Sequence, residues 1–343
     1  MNFKSKIQFG IYFFTFLTVA LAMPSDLRAA EETKVIEHES GFYYTIQEGD
    51  TLWDLSQRFS DSPWQWPDLW RENSQIANPH RIYPGERIRL YRRHGADRFR
   101  VAQKDAPPEL APPLQAIHFE YAGIDRVGFI RKDPIPSHGR IFKVKDDKQM
   151  ISTGDLVYIQ PRKNLVLVPG TLYTAYRTLK PIKDKKTEAY IGIQHYLIGV
   201  IEITRQESGF ALAKVVKAYR HLEVGDLLMP YARRLPEIRL QNSPEGLKGR
   251  IIVGEEHQKI LGDTILAFID KGRQDGVKPG QFYSIYYQDK HRLDQESAHE
   301  DWLTPIDIGE LLVLHTEQST ATVLITGSEK AIRPGTEIRT PAH

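Results

Sequence analysis

The rhythm of hydrophobic positions changes several times along the chain. After Lys4 and Lys6, the sixteen residues Ile7 to Ala22 are almost continuously apolar, broken by Gln8, Gly10, Thr15 and Thr18. That run is short of the ~20 residues needed to cross ~30 Å of hydrocarbon. A positive start, a short apolar core and small residues behind it predict a secretory signal over residues 1–30. Left uncleaved, the same segment would anchor the chain to a membrane, with the remainder still exported. The pattern then shortens. Tyr43-Tyr44-Thr45-Ile46 is aromatic and β-branched, which predicts a strand. Gln47-Glu48-Gly49-Asp50 predicts a turn, with Asp50 or Thr51 able to cap a following helix. Leu52, Leu55 and Phe59 fall on one helical stripe. Pro67 suits the first turn of a second helix, with Asp68 beside its positive end and Leu69 and Trp70 facing inward. Asn78-Pro79 and Tyr83-Pro84-Gly85 break the chain, and Arg87-Ile88-Arg89-Leu90 alternates as a closing strand. The predicted module, residues 43–91, is strand, helix, helix, strand.

Periodicity then stops. Arg92, Arg93, Arg98, Arg100 and Lys104 give way to Pro107-Pro108 and Pro112-Pro113, which predicts a basic, proline-rich linker over 92–115. Beyond it, landmarks recur at a fixed separation of 110 residues. Gly139-Arg140-Ile141 is repeated as Gly249-Arg250-Ile251, and Pro169-Gly170-x-x-Tyr173-x-x-Tyr176 as Pro279-Gly280-x-x-Tyr283-x-x-Tyr286. Ile198-Gly199, Ala211 and Gly225 return as Ile308-Gly309, Ala321 and Gly335. Gly154-Asp155 and Gly262-Asp263 align two residues out of step, which predicts a small insertion or deletion on each side. Two homologous units are expected, one over 116–235 with its repeated core at 139–231, the other over 249–340, joined by a linker at 236–248. Short apolar runs between Gly-Asp and Pro-Gly turns predict strands in both units, built as small barrels or sandwiches. The fold class is therefore multidomain α+β: a small β-α-α-β module followed by two mainly-β units.

Composition narrows the chemistry. The 343 residues contain no cysteine, which excludes disulfides, thiolate nucleophiles, cysteine-ligated zinc and a lipidated cysteine anchor. A formal net charge of +2 makes no electrostatic case for a nucleic-acid partner. The twelve histidines include no His-x-His and no His-Glu-x-x-His. His291 and His299 lie in a charged stretch that reads as a solvated loop. No Gly-x-Ser-x-Gly elbow or phosphate-binding glycine loop occurs. No metal, cofactor or catalytic residue is predicted.

The residues of the N-terminal module resemble a known family. Tyr44-Thr45-Ile46-x-x-Gly49-Asp50-Thr51-Leu52-Trp53-x-Leu55, then Asn73, Asn78-Pro79 and Ile82-Tyr83-Pro84-Gly85, is similar to a LysM domain. The resemblance implies binding of N-acetylglucosamine-containing glycans such as peptidoglycan, without catalysis. It also implies a shallow groove whose walls are Gly49, Asp50, Thr51 and Leu52 on one side and Asn78, Pro79, Ile82 and Tyr83 on the other. Backbone amides beside small apolar surfaces suit the amide, methyl and C–H patches of such sugars. Ser60 to Trp66 is longer and more aromatic than a minimal module needs, so Trp64, Trp66 and Trp70 are either an enlarged core or an exposed stacking surface. The expected protein is a non-catalytic peptidoglycan-binding component of the periplasm or cell envelope, whose β units contact another envelope protein. Two alternatives stand beside it: a LysM-like fold used for docking proteins, and a wall hydrolase whose carboxylates carry no local signature.

Overall fold

In the N-terminal module, β1 (Gly41–Thr45), α1 (Leu52–Phe59), α2 (Trp66–Arg71) and β2 (Arg87–Leu90) follow one another in the expected order. Then come β3 (Ile117–Glu120), β4 (Phe129–Arg131), β5 (Gly139–Val144), β6 (Leu156–Pro161), β7 (Leu172–Thr178), β8 (Ile182–Lys183), β9 (Tyr190–Gln206), β10 (Ala211–Ala218), β11 (Leu227–Pro230) and β12 (Glu237–Arg239). The last part holds β13 (Lys248–Gly254), β14 (Leu266–Ile269), β15 (Phe282–Tyr287), β16 (Lys290–His291), β17 (Asp301–Trp302), β18 (Ile306–Thr316), β19 (Ala321–Ser328) and β20 (Glu337–Arg339). This computed structural model describes residues 40–60, 62–90, 117–148, 150–184, 187–291 and 301–341. The signal expected over 1–30, the linker expected over 92–115 and His299 lie outside the described residues. Among the described residues no helix is long and apolar enough to cross a membrane.

Local chemistry sets the helices of the module. Thr51 caps α1, its Oγ1 accepting from the Asp54 N–H at 3.1 Å. Leu52 and Leu55 are buried and Phe59 packs against them. Pro67 sits in the first turn of α2, where its missing N–H costs nothing. The outer edge of β2 is closed by a side chain instead of a strand. Buried Asn73 donates from Nδ2 to the Arg89 carbonyl at 3.0 Å, and its Oδ1 accepts from the Arg89 N–H at 2.6 Å. It thereby does for Arg89 what a neighbouring strand would do.

The other edge of the module is open to pairing, and two distant segments fill it. β1 pairs antiparallel with β3, and β3 with β12, giving a four-stranded sheet in the order β12–β3–β1–β2. By sequence β3 falls in the span expected as the first β unit, and β12 in the span expected as a linker. Phe42, Tyr44, Ile88, Ile117, Phe119 and Ile238 share one apolar cluster with the helices. That cluster continues into Leu266, Leu312, Leu314 and Leu324, and the Phe42 and Phe282 rings stack at 5.9 Å.

Twelve of the remaining strands build two closed arrangements, while β4 and β8 pair with β9 outside them and β16 pairs with β17. β13–β14–β19–β18–β15–β20 is a six-stranded closed barrel. In the preceding part, pairings join β5, β6, β10, β9, β7 and β11 in turn, and β11 returns to β5 to close a ring. Alternate side chains fill each interior: Ile141, Val157, Ile159, Ile201, Ala213 and Val215 in the first, and Ile251, Ala267, Ile269, Leu311, Val323 and Ile325 in the second. Backbone details recur 110 positions on. The bridge Ile151–Leu222 returns as Leu261–Ile332. The bulges at Ile141/Lys143 and Ala175/Tyr176 return at Ile251/Val253 and Ile285/Tyr286.

The turn before β6 corrects one alignment. Gly154 donates from N to the Val215 carbonyl and Thr264 donates to the Ile325 carbonyl, both at 2.8 Å. Thr264, not Gly262, stands in the place of Gly154, and no insertion or deletion intervenes. Gly154 has φ 94° and Thr264 has φ 64°. A β-branched residue there costs ~1–2 kcal/mol that glycine avoids. Thr264→Gly is therefore expected to raise stability by up to ~1 kcal/mol after glycine's entropic cost, read as a higher midpoint of urea unfolding.

Between the two barrels lie β4 and the start of β9. Thr320 and Thr322 donate from Oγ1 to the Ile130 and Gly128 carbonyls, each at 2.7 Å. Arg220 pairs with Glu255 at 2.8 Å, and Arg250 with Asp184. His195 is fully buried here, its ring stacked on Phe129 at 4.9 Å and on Tyr176 at 5.6 Å. Its Nε2 accepts from the Ile135 N–H at 3.0 Å, and Nδ1 lies 3.2 Å from the Ile193 carbonyl. Burial lowers its pKa to about 4, with Arg131 adding to the shift and Glu317 opposing it. His315, across Phe129, is lowered too, chiefly by burial, although Glu317 lies 3.0 Å away. The unfolded chain takes up the His195 proton near the ordinary 6.5 and the folded chain only near 4, so stability falls as pH drops through that window. In His195→Gln, which keeps an acceptor and cannot charge, the fall measured by denaturant titration between pH 6.5 and 4 is expected to be shallower by up to ~1.4 kcal/mol per pH unit.

Candidate functional site

The two expected walls meet at one end of the β1–β2 pair. The first is the loop leaving β1. Ile46 is buried, and Gly49 is exposed with φ 89°, which admits the tight reversal. The Asp50 carboxylate turns back into the loop. Its Oδ2 accepts from the Tyr44 hydroxyl at 2.6 Å and from the Gln47 N–H at 2.8 Å, and Arg58 lies 3.5 Å from Oδ1. The Tyr44 phenol is pushed well above its ordinary range by burial and then by Asp50, so it remains a proton donor. Thr51 is exposed, and its hydroxyl also donates to Asp54 Oδ2 at 2.6 Å. Leu52 points into the core.

The second wall follows α2. Asn78 is exposed, and its Oδ1 accepts from the His80 N–H at 2.9 Å while its carbonyl accepts from the Arg81 N–H at 3.0 Å. Pro79 is half-buried, and half-buried Ile82 packs on the core. Tyr83 is 55% exposed, at the start of a turn closed by Glu86, whose carboxylate accepts from the Tyr83 N–H at 3.2 Å. Main-chain bonds tie this turn to the first wall: Ile46 N–H donates to the Glu86 carbonyl at 2.8 Å, and Gly85 N–H to the Ile46 carbonyl at 2.9 Å.

Of the eight expected residues, Gly49, Thr51, Asn78 and Tyr83 present themselves to solvent, with Pro79 partly covered. The side chains of Asp50, Leu52 and Ile82 are spent on building the walls. The three tryptophans divide. Trp66 and Trp70 pack against the core, and Trp70 Nε1 donates to the Ile76 carbonyl at 2.7 Å. Trp64 is 75% exposed and meets Trp53 edge to face, with centroids 4.7 Å apart. Trp53 carried no candidate role in the sequence; its place one position after Leu52, off the buried stripe, was the available signal.

Elsewhere, a cleft of about 480 Å³ lies between β12 and the second barrel, lined in part by Arg234, Glu237, Arg239 and His315. Its polar groups are engaged: Arg234 donates to the Val127 carbonyl at 2.7 Å, and Arg87 reaches Glu237 at 2.9 Å. Among the described residues no group of three or more histidine or carboxylate side chains is placed to hold a metal ion.

Asp50 is the organising group of the first wall. Asp50→Ala removes one charge-assisted acceptor and leaves the Tyr44 hydroxyl and Gln47 N–H without it, at an expected cost of ~1–3 kcal/mol. Faster hydrogen exchange at Gln47 and its neighbours, with the barrel amides unchanged, is the expected readout.

Comparison with known proteins bears on the module that carries these loops. A 57-residue stretch is 33% identical to the uncharacterized protein YqbP of Bacillus subtilis (strain 168), covering 14% of this chain and 26% of that protein. The chain thus spans about a quarter of that relative's length, and the likeness adds no activity. Residues 44–90 match the family model of the LysM domain. LysM domains occur in cell-wall-associated proteins, and residues 44–90 of this chain are such a domain, which implies binding of peptidoglycan- or chitin-type glycan.

Proposed function

We propose that the chain is an exported, non-catalytic envelope protein that holds peptidoglycan through its LysM domain and carries a duplicated β scaffold. The single observation behind the glycan site is the main-chain link between its two walls. Ile46 bonds to Glu86 and Gly85, so Gly49, Thr51, Asn78 and Tyr83 are held on adjoining loops. Those four offer backbone amides, a hydroxyl, a carboxamide and one aromatic face, which is the mixture an N-acetylated sugar requires. The duplication is supported by strand pairings and bulges that recur at one separation of 110 residues. Export is supported by the apolar run that follows Lys4 and Lys6.

A single shallow groove binds weakly, because association itself costs several kcal/mol. The test is co-sedimentation of the protein with purified peptidoglycan sacculi. Point substitutions are preferred to deletion of residues 43–91, because β1 also carries β3. The unaltered protein is expected to pellet, and Asn78→Ala with Tyr83→Ala to reduce pelleting several-fold without changing the circular dichroism. Sacculus turbidity is expected to stay constant. Absence of pelleting by the unaltered protein would transfer the domain to protein docking, and clearing of the suspension would establish a hydrolase.

A further inference from the structure

The segment between the helices of the LysM domain carries an aromatic surface that belongs to neither wall of the groove. Trp53 follows Leu52, the last residue of the first wall, and stands in the first turn of α1. Its exposed ring meets that of Trp64 edge to face, with centroids 4.7 Å apart. Two residues on, Trp66 lies against His80 with centroids 6.0 Å apart. His80 is in the loop of the second wall, its N–H held by Asn78. The stretch from Trp64 to Trp66 therefore touches the continuation of both walls, one through each indole.

Trp64 is exposed, yet its backbone is held. Its N–H donates to the Ser62 Oγ at 3.3 Å, and the Gln65 N–H donates to the Ser62 carbonyl at 3.1 Å. The hydroxyl of fully buried Ser56, in α1, donates to the same carbonyl at 3.0 Å. The turn is thus tied to the helix that carries Trp53. Both rings stand outside the apolar cluster that takes in Trp66 and Trp70, so the core draws little from them. A large ring on a fixed backbone has less freedom left to lose on binding than one on a loose loop.

The surroundings of the pair indicate what it suits. Gln57 lies one helical turn beyond Trp53 on the same face of α1, and Asp54 follows Trp53 directly; both are exposed. Half-buried Gln65 follows Trp64. The apolar surface is therefore two rings wide and edged by a carboxylate and two carboxamides. A pyranose has the matching form, a C–H face rimmed by hydroxyls, and such a face packs on an indole while its rim bonds to the polar edge. An apolar protein surface would leave that edge to be desolvated. The domain's family implies a glycan ligand, and the pair adjoins the loops proposed to hold it.

We propose that Trp53 and Trp64 form a second sugar-binding surface, on which a further ring of the glycan held between the two walls stacks. The ligand is then an extended oligomer of N-acetylated sugars. A short oligomer occupies the groove alone, and a longer one gains the indole face as well. This inference rests on the glycan reading above and adds to it the part of the ligand that lies beyond the groove.

The test is calorimetric titration of the protein with the trisaccharide and the hexasaccharide of chitin. Trp64→Ala is expected to weaken hexasaccharide binding roughly three- to tenfold and to leave trisaccharide binding unchanged. Trp64→Phe, which keeps a stacking face, is expected to recover most of the loss. Asn78→Ala with Tyr83→Ala is expected to weaken both sugars. Trp64 is 75% exposed, so its replacement is expected to leave the circular dichroism unchanged. Equal hexasaccharide affinity in Trp64→Ala and the unaltered protein would overturn the inference, leave the groove standing and turn the pair into a surface for docking a protein. A loss on both sugars in Trp64→Ala would also overturn it, because Trp64 would then serve the groove or the fold. Binding of neither sugar by the unaltered protein would overturn it too, and the pelleting of sacculi would then decide whether the glycan reading falls with it.

Discussion

The interaction on which the rest depends is the main-chain ladder between β1 and β3. A LysM sheet has two strands, and two strands have two edges. Asn73 closes one edge with a carboxamide that copies the bonds of a strand. The other edge is closed by β3, which brings β12 with it. The register places Phe119 beside Phe42 and Ile238 beside Phe119, so three segments far apart in sequence make one apolar surface. That surface meets outward leucines of the second barrel. The domain's core is therefore continuous with the outer face of the barrel, where a tethered bead would have had a hydrated boundary of its own.

Much of this was legible and some was not, for separable reasons. The helices of the domain were legible because caps and stripes are local: Thr51, Leu52, Leu55 and Pro67 sit where spacing alone puts them. β10 and β19 were legible because alternating alanine and valine or isoleucine face a barrel interior. β3, β4, β8 and β12 were not. Each is two to four residues long, and Glu237-Ile238-Arg239 carries one apolar residue between two charges. Their stability comes from partners more than a hundred residues away in the case of β12 and β3, which no window along the chain contains. β9 was underestimated for the opposite reason. Its 17 residues change partners from β4 and β8 to β7 and β10, so its buried side alternates irregularly and only Val200 to Ile203 reads as strand.

The site shows a similar division. A motif records which residues recur together, and it does not separate those that build a surface from those that form it. Asp50 and Leu52 are neighbours in the motif, yet one is consumed by a loop and the other by the core. Tyr83 and Asn78 are left facing solvent by the same folding. Tryptophan identity carried even less. Trp70 finds a carbonyl for its indole N–H and is partly buried, while Trp64, six residues earlier, finds only the edge of Trp53. Which indole is which depended on the length of the turn at Pro63–Gln65, a property of geometry and not of composition.

Rigidity at the domain boundary has a consequence for binding. A groove that buries little sugar gains little per contact, and a flexible tether would spend part of that gain on ordering itself. Here the loop proposed as the first glycan wall leaves β1, β1 is bonded to β3, and β3 is bonded to β12, which leads directly to the barrel through the Gln241–Gly280 bond at 3.1 Å. Gly280 is pressed so closely on the Arg239 carbonyl that a Cβ there would lie 1.9 Å from it. The joint therefore has no slack at the point where chain leaves sheet.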